Sequence, residues 1–184
     1  MNFIKINHTY EVILQLLKKE AHGRELAKTL KTSLTRVQSI LTELRNINVL
    51  DYKIEGKNHI YFIKKNLISK SYILNAENYK LTKIINKHPE LEPIFEDVIK
   101  KSKCNLIILF GSYVKGIPKK DSDIDIYIET TDQKIKEEIQ KIYDLISIKI
   151  GKFNLNDLLI KEIIKNHIII KGGEEYYENL KFFE

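Results

Sequence analysis

The sequence predicts an α+β protein built from two parts with different hydrophobic patterns. Residues 1–66 are expected to form three helices and a hairpin, because apolar residues recur at helical spacing and then alternate with polar ones. Residues 89–184 alternate between strand and helix patterns, which indicates a small mixed sheet flanked by helices. The intervening residues, 67–88, are predicted to be a connecting helix or linker. The sequence thus predicts two domains, residues 1–66 and 89–184, joined by residues 67–88.

The composition is that of a folded chain. Of the 184 residues, 43% are hydrophobic and 30% are charged, which differs from a disordered sequence. Apolar runs such as Leu106–Phe110 are strand-sized and far shorter than the roughly 20 residues that span a bilayer. The single cysteine, Cys104, excludes an internal disulfide and fits a reducing compartment. No signal-peptide pattern follows Met1, so the expected location is the cytoplasm, with no membrane partner.

The first part is predicted from its helical spacing and its turn residues. Helices are expected over 9–20, 24–30 and 34–47, with Ser33 as the N-cap of the third. Strands are expected over 49–54 and 59–63, because these segments alternate around a turn that contains Gly56.

This order of elements resembles a winged helix-turn-helix domain over residues 8–64. The resemblance implies DNA as a partner, with the third helix against base edges and the hairpin against phosphates. The implied DNA-binding residues are Ser33, Thr35, Arg36, Gln38, Ser39, Thr42, Arg45, Lys53 and Lys57. A net charge of +6 permits such binding. A polar outer face without a ligand, or a winged helix that binds protein, remains open.

The second part is predicted from alternating apolar runs and amphipathic segments. Strands are expected over 105–110, 124–129, 145–150 and 168–171, and helices over 92–101, 132–143, 156–166 and 174–182. The helix over 156–166 is expected to bury Leu158, Leu159, Ile163 and Ile164.

A motif for phosphate and metal chemistry lies at the start of this second part. An apolar strand runs into Gly111-Ser112, and ten residues later Asp123-Ile124-Asp125 opens a second apolar strand. Gly111 lets the backbone approach a phosphate, and Ser112 begins a short helix whose free N–H groups favour the same anion. Asp123 and Asp125 face one side of their strand. Such carboxylates suit Mg²⁺ or Mn²⁺, the ions that assist phosphoryl transfer.

Lysines and a serine extend the motif. Lys115, Lys119 and Lys120 can neutralise phosphate, although a solvated loop explains them equally well. Ser122 leads the chain into the second strand and is a further candidate for nucleotide binding. Either half of the motif alone is common in turns and strand edges, and only their joint order favours a phosphoryl-transfer site.

The residues Gly111-Ser112 and Asp123-x-Asp125 resemble the polymerase-beta-like nucleotidyltransferase superfamily, in particular its small minimal members, over roughly residues 90–184. The resemblance implies an enzyme that moves a nucleoside monophosphate from an NTP to an acceptor. It assigns Asp123 and Asp125 as catalytic metal ligands, and Gly111, Ser112, Lys115 and Ser122 as nucleotide-binding residues. The acceptor can be a hydroxyl of a partner protein, an RNA end or a small molecule.

One strand departs from this resemblance. The family uses a third carboxylate on the next strand, where this chain has Ser147 and Lys149 at the outward positions. Asp144 and Glu129 are the nearest alternatives. Without a third acid, the domain would bind nucleotide but not transfer it, and the chain would be a nucleotide-sensing, DNA-binding transcriptional regulator. A scaffold that forms a homodimer through its winged helix is a third possibility.

Overall fold

The computed structural model describes residues 6–119 and 121–184 and confirms the predicted α+β class. Two compact units divide the chain between Tyr79 and Lys80, and Phe183–Glu184 belong to the first unit. The expectations that concern Met1 and Lys120 lie outside the described residues. Within the described ranges, no helix is long and apolar enough to cross a membrane.

The first unit has the predicted order of three helices and a hairpin. Helices α1 to α3 span His8–Lys18, Gly23–Thr29 and Leu34–Asn46, and strands β1 and β2 span Leu50–Glu55 and Asn58–Ile63. This is the arrangement of a winged helix-turn-helix. The same unit contains the first part of α4, which spans Leu67–Lys87.

Helix α3 begins at a side-chain cap, as the sequence predicts. The Ser33 hydroxyl accepts a hydrogen bond of 3.2 Å from the backbone N–H of Arg36, which satisfies one of the free donors of the first turn. The helix then buries one stripe, formed by Val37, Ile40, Leu41 and Leu44. This inward stripe fixes which α3 side chains face outward.

The hairpin turns in two residues. Strands β1 and β2 are antiparallel with Glu55 opposite Asn58, which leaves Gly56 and Lys57 in the turn. Gly56 has a φ of 61°, as a tight hairpin turn of this kind requires.

The second unit is a mixed sheet with helices around it. Its elements after α4 are α5 (Leu91–Ser102), β3 (Ile107–Phe110), α6 (Ser112–Lys115), β4 (Ile124–Glu129), α7 (Gln133–Gln140), β5 (Ile146–Gly151), α8 (Leu158–Lys165), β6 (Ile168–Lys171) and α9 (Gly173–Asn179). The strand order is β5-β4-β3-β6. Strand β4 is parallel to β5, and β3 is antiparallel to both β4 and β6.

The core of this unit lies between the sheet and its helices. It joins alternate strand residues, including Ile107, Leu109, Ile126 and Ile148, to Phe95 of α5. Alternation on β4 turns Ile124 and Ile126 inward and leaves Asp123 and Asp125 on the opposite side. The sheet thus holds the acidic pair of the motif on a rigid strand.

The predicted inward face of α8 is partly wrong. Ile163 is buried as predicted, Leu159 and Ile164 are partly buried, and the second buried residue is Ile160. Leu158 was expected to be buried but is 82% exposed. The reason is that Asp157 caps the helix through the Leu159 N–H. Leu158 is therefore the first helical residue, with no preceding turn to cover it.

Candidate active site

Gly111 joins β3 to α6 and lies against Asp125. Its φ of 74° and ψ of −147° belong to a region in which residues with a side chain are strained. A Cβ placed on Gly111 would lie 2.0 Å from Oδ2 of Asp125. The glycine thus lets the backbone pass directly beside this carboxylate, and the structure brings these two predicted site residues together.

Asp123 and Asp125 stand at the start of β4. Asp125 pairs with Phe110 across β3 and is half-buried, whereas Asp123 directly precedes the strand and is exposed. Burial raises the pKa of Asp125, a hydrogen bond from the Ser147 hydroxyl lowers it, and the negative charge of Asp123 raises it again. Two neighbouring carboxylates of this kind are stabilised by a cation.

The donor set suits a divalent ion. Carboxylate oxygens are the ligands that Mg²⁺ and Mn²⁺ prefer. Among residues 6–119 and 121–184, no group of three His, Cys, Asp or Glu side chains is arranged to hold a metal. Within the described residues, the Asp123–Asp125 pair is therefore not completed by a third such side chain. Mg²⁺ normally completes its shell with water and substrate phosphate around one or two carboxylates, so the pair fits the ion.

The position beside Asp125 on the next strand is held by a serine. Strand β5 runs parallel to β4, with Ser147 beside Asp125 and Lys149 beside Tyr127. The Ser147 hydroxyl donates to the Asp125 carboxylate, and the positive charge of Lys149 also lowers the pKa of Asp125. A hydrogen-bond donor and a cation thus stand where the family resemblance implies an acid.

Glu129 is engaged away from the acidic pair. It accepts hydrogen bonds of 3.2 Å from the Phe153 N–H and from the Asn179 side-chain amide. It also lies four residues beyond Asp125 along β4, a separation of about 13 Å. Asp144 is exposed in the turn before β5. Neither acid is among the groups that shift the pKa of Asp125.

Lys115 and Ser122 have partners of their own. The Lys115 ammonium lies 2.8 Å from Oε1 of Glu162 on α8. The Ser122 hydroxyl accepts a 2.8 Å hydrogen bond from the Lys119 N–H, which shapes the loop before Asp123. Glu162 was missed by sequence reasoning, because it lies 47 residues from Lys115 and outside any recognisable motif.

The predicted DNA-binding residues of α3 divide between two shallow surfaces. One groove is lined by Thr35, Gln38, Ser39, Thr42, Glu43, Asn46 and Ile47. Arg36 lies on an adjoining surface, which shares Ser39 and Glu43 with the groove and also contains Ile6, Asn7, His8, Thr9 and Ile40. All of the predicted residues on α3 are exposed, although the Ser33 hydroxyl is used in capping.

The basic residues on the hairpin and beside it differ in whether their charges are paired. The Arg45 guanidinium lies 4.4 Å from the centre of the Tyr52 ring. Lys53 pairs with Glu20 at 2.6 Å and Glu55 at 3.3 Å, and these contacts raise the pKa of Lys53. The two glutamates partly neutralise the Lys53 ammonium, which weakens its attraction for a DNA phosphate. Lys57 is exposed in the turn.

Comparison with known proteins places the second unit in a family. A family model described as polymerase beta, nucleotidyltransferase matches residues 90–180. A protein of Methanocaldococcus jannaschii, whose name gives protein adenylyltransferase as an inferred activity, is 36% identical over 96 residues. These residues span 50% of this chain and 86% of that protein.

Two further similarities are less informative. A protein of Plasmodium falciparum is 32% identical over 133 residues, which span 66% of this chain and 3% of that protein. The chain thus covers only a small part of this relative. The adhesin competence repressor of Streptococcus pyogenes is 14% identical, with a TM-score of 0.41 over 50% of this chain and 69% of that chain. A TM-score of that size does not establish a common fold.

Proposed function

The chain belongs to the polymerase beta family of nucleotidyltransferases, and on this premise we propose that it moves a nucleoside monophosphate from an NTP to a hydroxyl acceptor. The observation that carries the proposal is the contact between the Gly111 backbone and Asp125, with Asp123 beside it. A backbone turn open to phosphate and an acidic pair suited to a divalent ion meet at one end of the sheet. Binding and reaction of a metal–triphosphate complex need both.

The proposed reaction is an in-line displacement at the α-phosphorus. The acceptor oxygen bonds to this phosphorus, the bond to the bridging oxygen of the β-phosphate breaks, and pyrophosphate leaves. Gly111 and Ser112 bind the triphosphate, Lys115 adds positive charge, and Ser122 shapes the loop before Asp123. A Mg²⁺ or Mn²⁺ ion held by Asp123 and Asp125 would supply charge neutralisation and polarise the phosphate.

The proposed acceptor is a hydroxyl of a partner protein, and the proposed donor is ATP. The name of the Methanocaldococcus jannaschii relative supports this choice, since it gives protein adenylyltransferase as an inferred activity. If the acceptor were an RNA end or a small molecule, the label would appear in that molecule and not in protein. The assay below therefore distinguishes the three acceptors.

The first experiment measures transfer of label from each α-³²P NTP to a cell lysate and to the purified chain. We expect transfer with Mg²⁺, and a loss of at least about 100-fold in Asp123→Asn/Asp125→Asn, because charge stabilisation by a bound metal is worth several kcal/mol. Asp121→Asn removes an exposed carboxylate two residues earlier and serves as the matched control. Transfer that survives in the double variant contradicts the proposal.

A second candidate function is supported by the outer face of α3. This face is polar and exposed along its length, and Arg36 and Arg45 offer positive charge there. We propose that this face binds duplex DNA and so directs the transferase. If the chain senses nucleotide without transferring it, the same DNA binding would make the chain a transcriptional regulator. Nucleotide binding without any transfer would favour the regulator.

For the DNA interface, we expect Arg36→Ala/Arg45→Ala to weaken binding of duplex DNA about tenfold or more. The slope of log affinity against log salt should fall by about 2, since each lost phosphate contact contributes about 1. Lys53→Ala is the comparison variant, and its effect should be smaller because Glu20 and Glu55 already pair with Lys53. Unchanged binding in the double variant excludes this face. Titrations of a labelled duplex at several salt concentrations give both quantities.

A further inference from the structure

Transfer to a hydroxyl requires a group that takes its proton. Asp123 and Asp125 are the proposed ligands of the cation, and Ser147 holds the adjacent position on β5. Glu129 is bound to Phe153 and Asn179 instead. Asp144 is exposed in the turn before β5. A carboxylate on another element of the fold can therefore serve as the proton acceptor.

Helix α8 carries a carboxylate to this end of the unit. Oε1 of Glu162 lies 2.8 Å from the ammonium of Lys115, and Lys115 ends the short helix that starts directly after Gly111. Gly111 in turn touches Asp125. Glu162 is also close enough for its negative charge to contribute to the raised pKa of Asp125. A chain of contacts thus links Glu162 to the acidic pair.

We propose that Glu162 is the proton acceptor for the attacking hydroxyl, and that Lys115 restrains it until the triphosphate of an NTP binds the Lys115 ammonium. This inference rests on the proposed function. The Lys115 and Glu162 side chains are 42% and 50% exposed, and exposed ion pairs contribute only about 0–1 kcal/mol. A triphosphate carries several negative charges and can therefore displace one carboxylate from Lys115 at small cost.

In the reaction, the freed Glu162 takes the proton of the acceptor hydroxyl as its oxygen bonds to the α-phosphorus. The electron pair of the broken phosphorus–oxygen bond leaves with pyrophosphate. The Glu162 carboxyl then returns its proton to water, and the Lys115 pair re-forms when pyrophosphate departs. The nucleotide itself thus controls when the base is free.

The test separates this role from that of an ordinary surface ion pair. Glu162→Gln removes the base and also releases Lys115. We expect kcat to fall about 100-fold or more, as for general-base removal. The dissociation constant of α,β-methylene ATP should fall as well, up to about fivefold, the equivalent of one exposed ion pair. Slower transfer with tighter binding is a combination that a structural role does not produce.

Three companion variants sharpen the result. Lys115→Met should weaken analogue binding, because it removes the positive charge. Ser147→Asp in the Glu162→Gln background places a carboxylate next to Asp125 and should restore part of kcat. Glu138→Gln on α7 changes an exposed glutamate away from the motif and should match the unmodified chain. Circular dichroism checks that each variant is folded.

A Glu162→Gln chain that keeps its kcat overturns the assignment of the base. Analogue binding that is unchanged in both Glu162→Gln and Lys115→Met overturns the restraint by Lys115. If the unmodified chain transfers no label to any acceptor, the proposed function fails. The analogue titration needs no turnover, so it still decides whether Lys115 exchanges Glu162 for a triphosphate.

Discussion

Gly111→Ala is expected to lower nucleotide transfer at least about 100-fold. The new Cβ would lie 2.0 Å from Oδ2 and 2.9 Å from Cγ of Asp125, so this side chain must leave its position. The φ of 74° at Gly111 adds strain of about 1–3 kcal/mol. A catalytic group displaced by about 1 Å can cost 10²-fold in rate, and here the displaced group is a proposed ligand of the cation.

The control is Gly116→Ala, which has nearly the same φ, 76°, and no atom within 4 Å of the added Cβ. This variant adds a Cβ at a positive φ without the collision with Asp125. Its ψ of 18° is that of a left-handed helical residue, so its backbone strain is smaller than at Gly111. The rates of label transfer and the urea midpoints of both variants should be compared. Equal rates in the two variants would mean that the position of Asp125 does not matter for transfer, which contradicts the proposed site.

The order and type of the elements could be predicted because their local signals are strong. Strands β4 and β6 have the predicted bounds, Ile124–Glu129 and Ile168–Lys171, since each is an apolar run that ends at polar residues. The N-cap role of Ser33 was equally visible, because a hydroxyl before an amphipathic run acts within three residues.

Contacts between distant residues could not be predicted in the same way. Lys53 appeared free in the sequence, yet Glu20, two residues after the end of α1, pairs with it. Lys115 and Glu162 meet only because the fold brings α6 and α8 together. The role of Gly111 was only half predicted. A turn open to phosphate was expected, but its contact with Asp125 depends on the pairing of β3 with β4.

Leu158 shows that hydrophobic spacing alone does not predict burial at the first residue of a helix. Helical spacing groups Leu158 with Leu159, Ile163 and Ile164. Asp157 is the N-cap, however, so Leu158 is the first residue of the helix. The first turn then points its side chain past the edge of the packed core. Glu162 lies one turn after Leu158 on the same exposed face, which is why a charged residue at this position is tolerated.

Gly172→Ala is expected to destabilise the second unit by about 3 kcal/mol or more. The added Cβ would lie 2.1 Å from the backbone oxygen of Asn105 and 3.0 Å from its carbonyl carbon. Backbone atoms cannot rotate away as a side chain can, so β3 and the segment before α9 must separate. Strain at a φ of 87° costs about 1–3 kcal/mol, and the overpacking adds a similar amount. Urea unfolding followed by tyrosine fluorescence measures the change.

Gly56→Ala in the hairpin is the comparison, because its φ is 61° and no atom lies within 4 Å of the added Cβ. A Gly172→Ala chain no less stable than Gly56→Ala would refute the backbone collision. The atoms nearest the added Cβ of Gly172 belong to Asn105 and Leu106, which are not proposed site residues. The loss of transfer in Gly172→Ala should therefore follow the unfolded fraction and disappear where the variant is folded. The loss in Gly111→Ala should persist in fully folded protein, since there the substitution displaces Asp125 itself. This difference separates the contribution of Gly111 to chemistry from the contribution of Gly172 to the sheet.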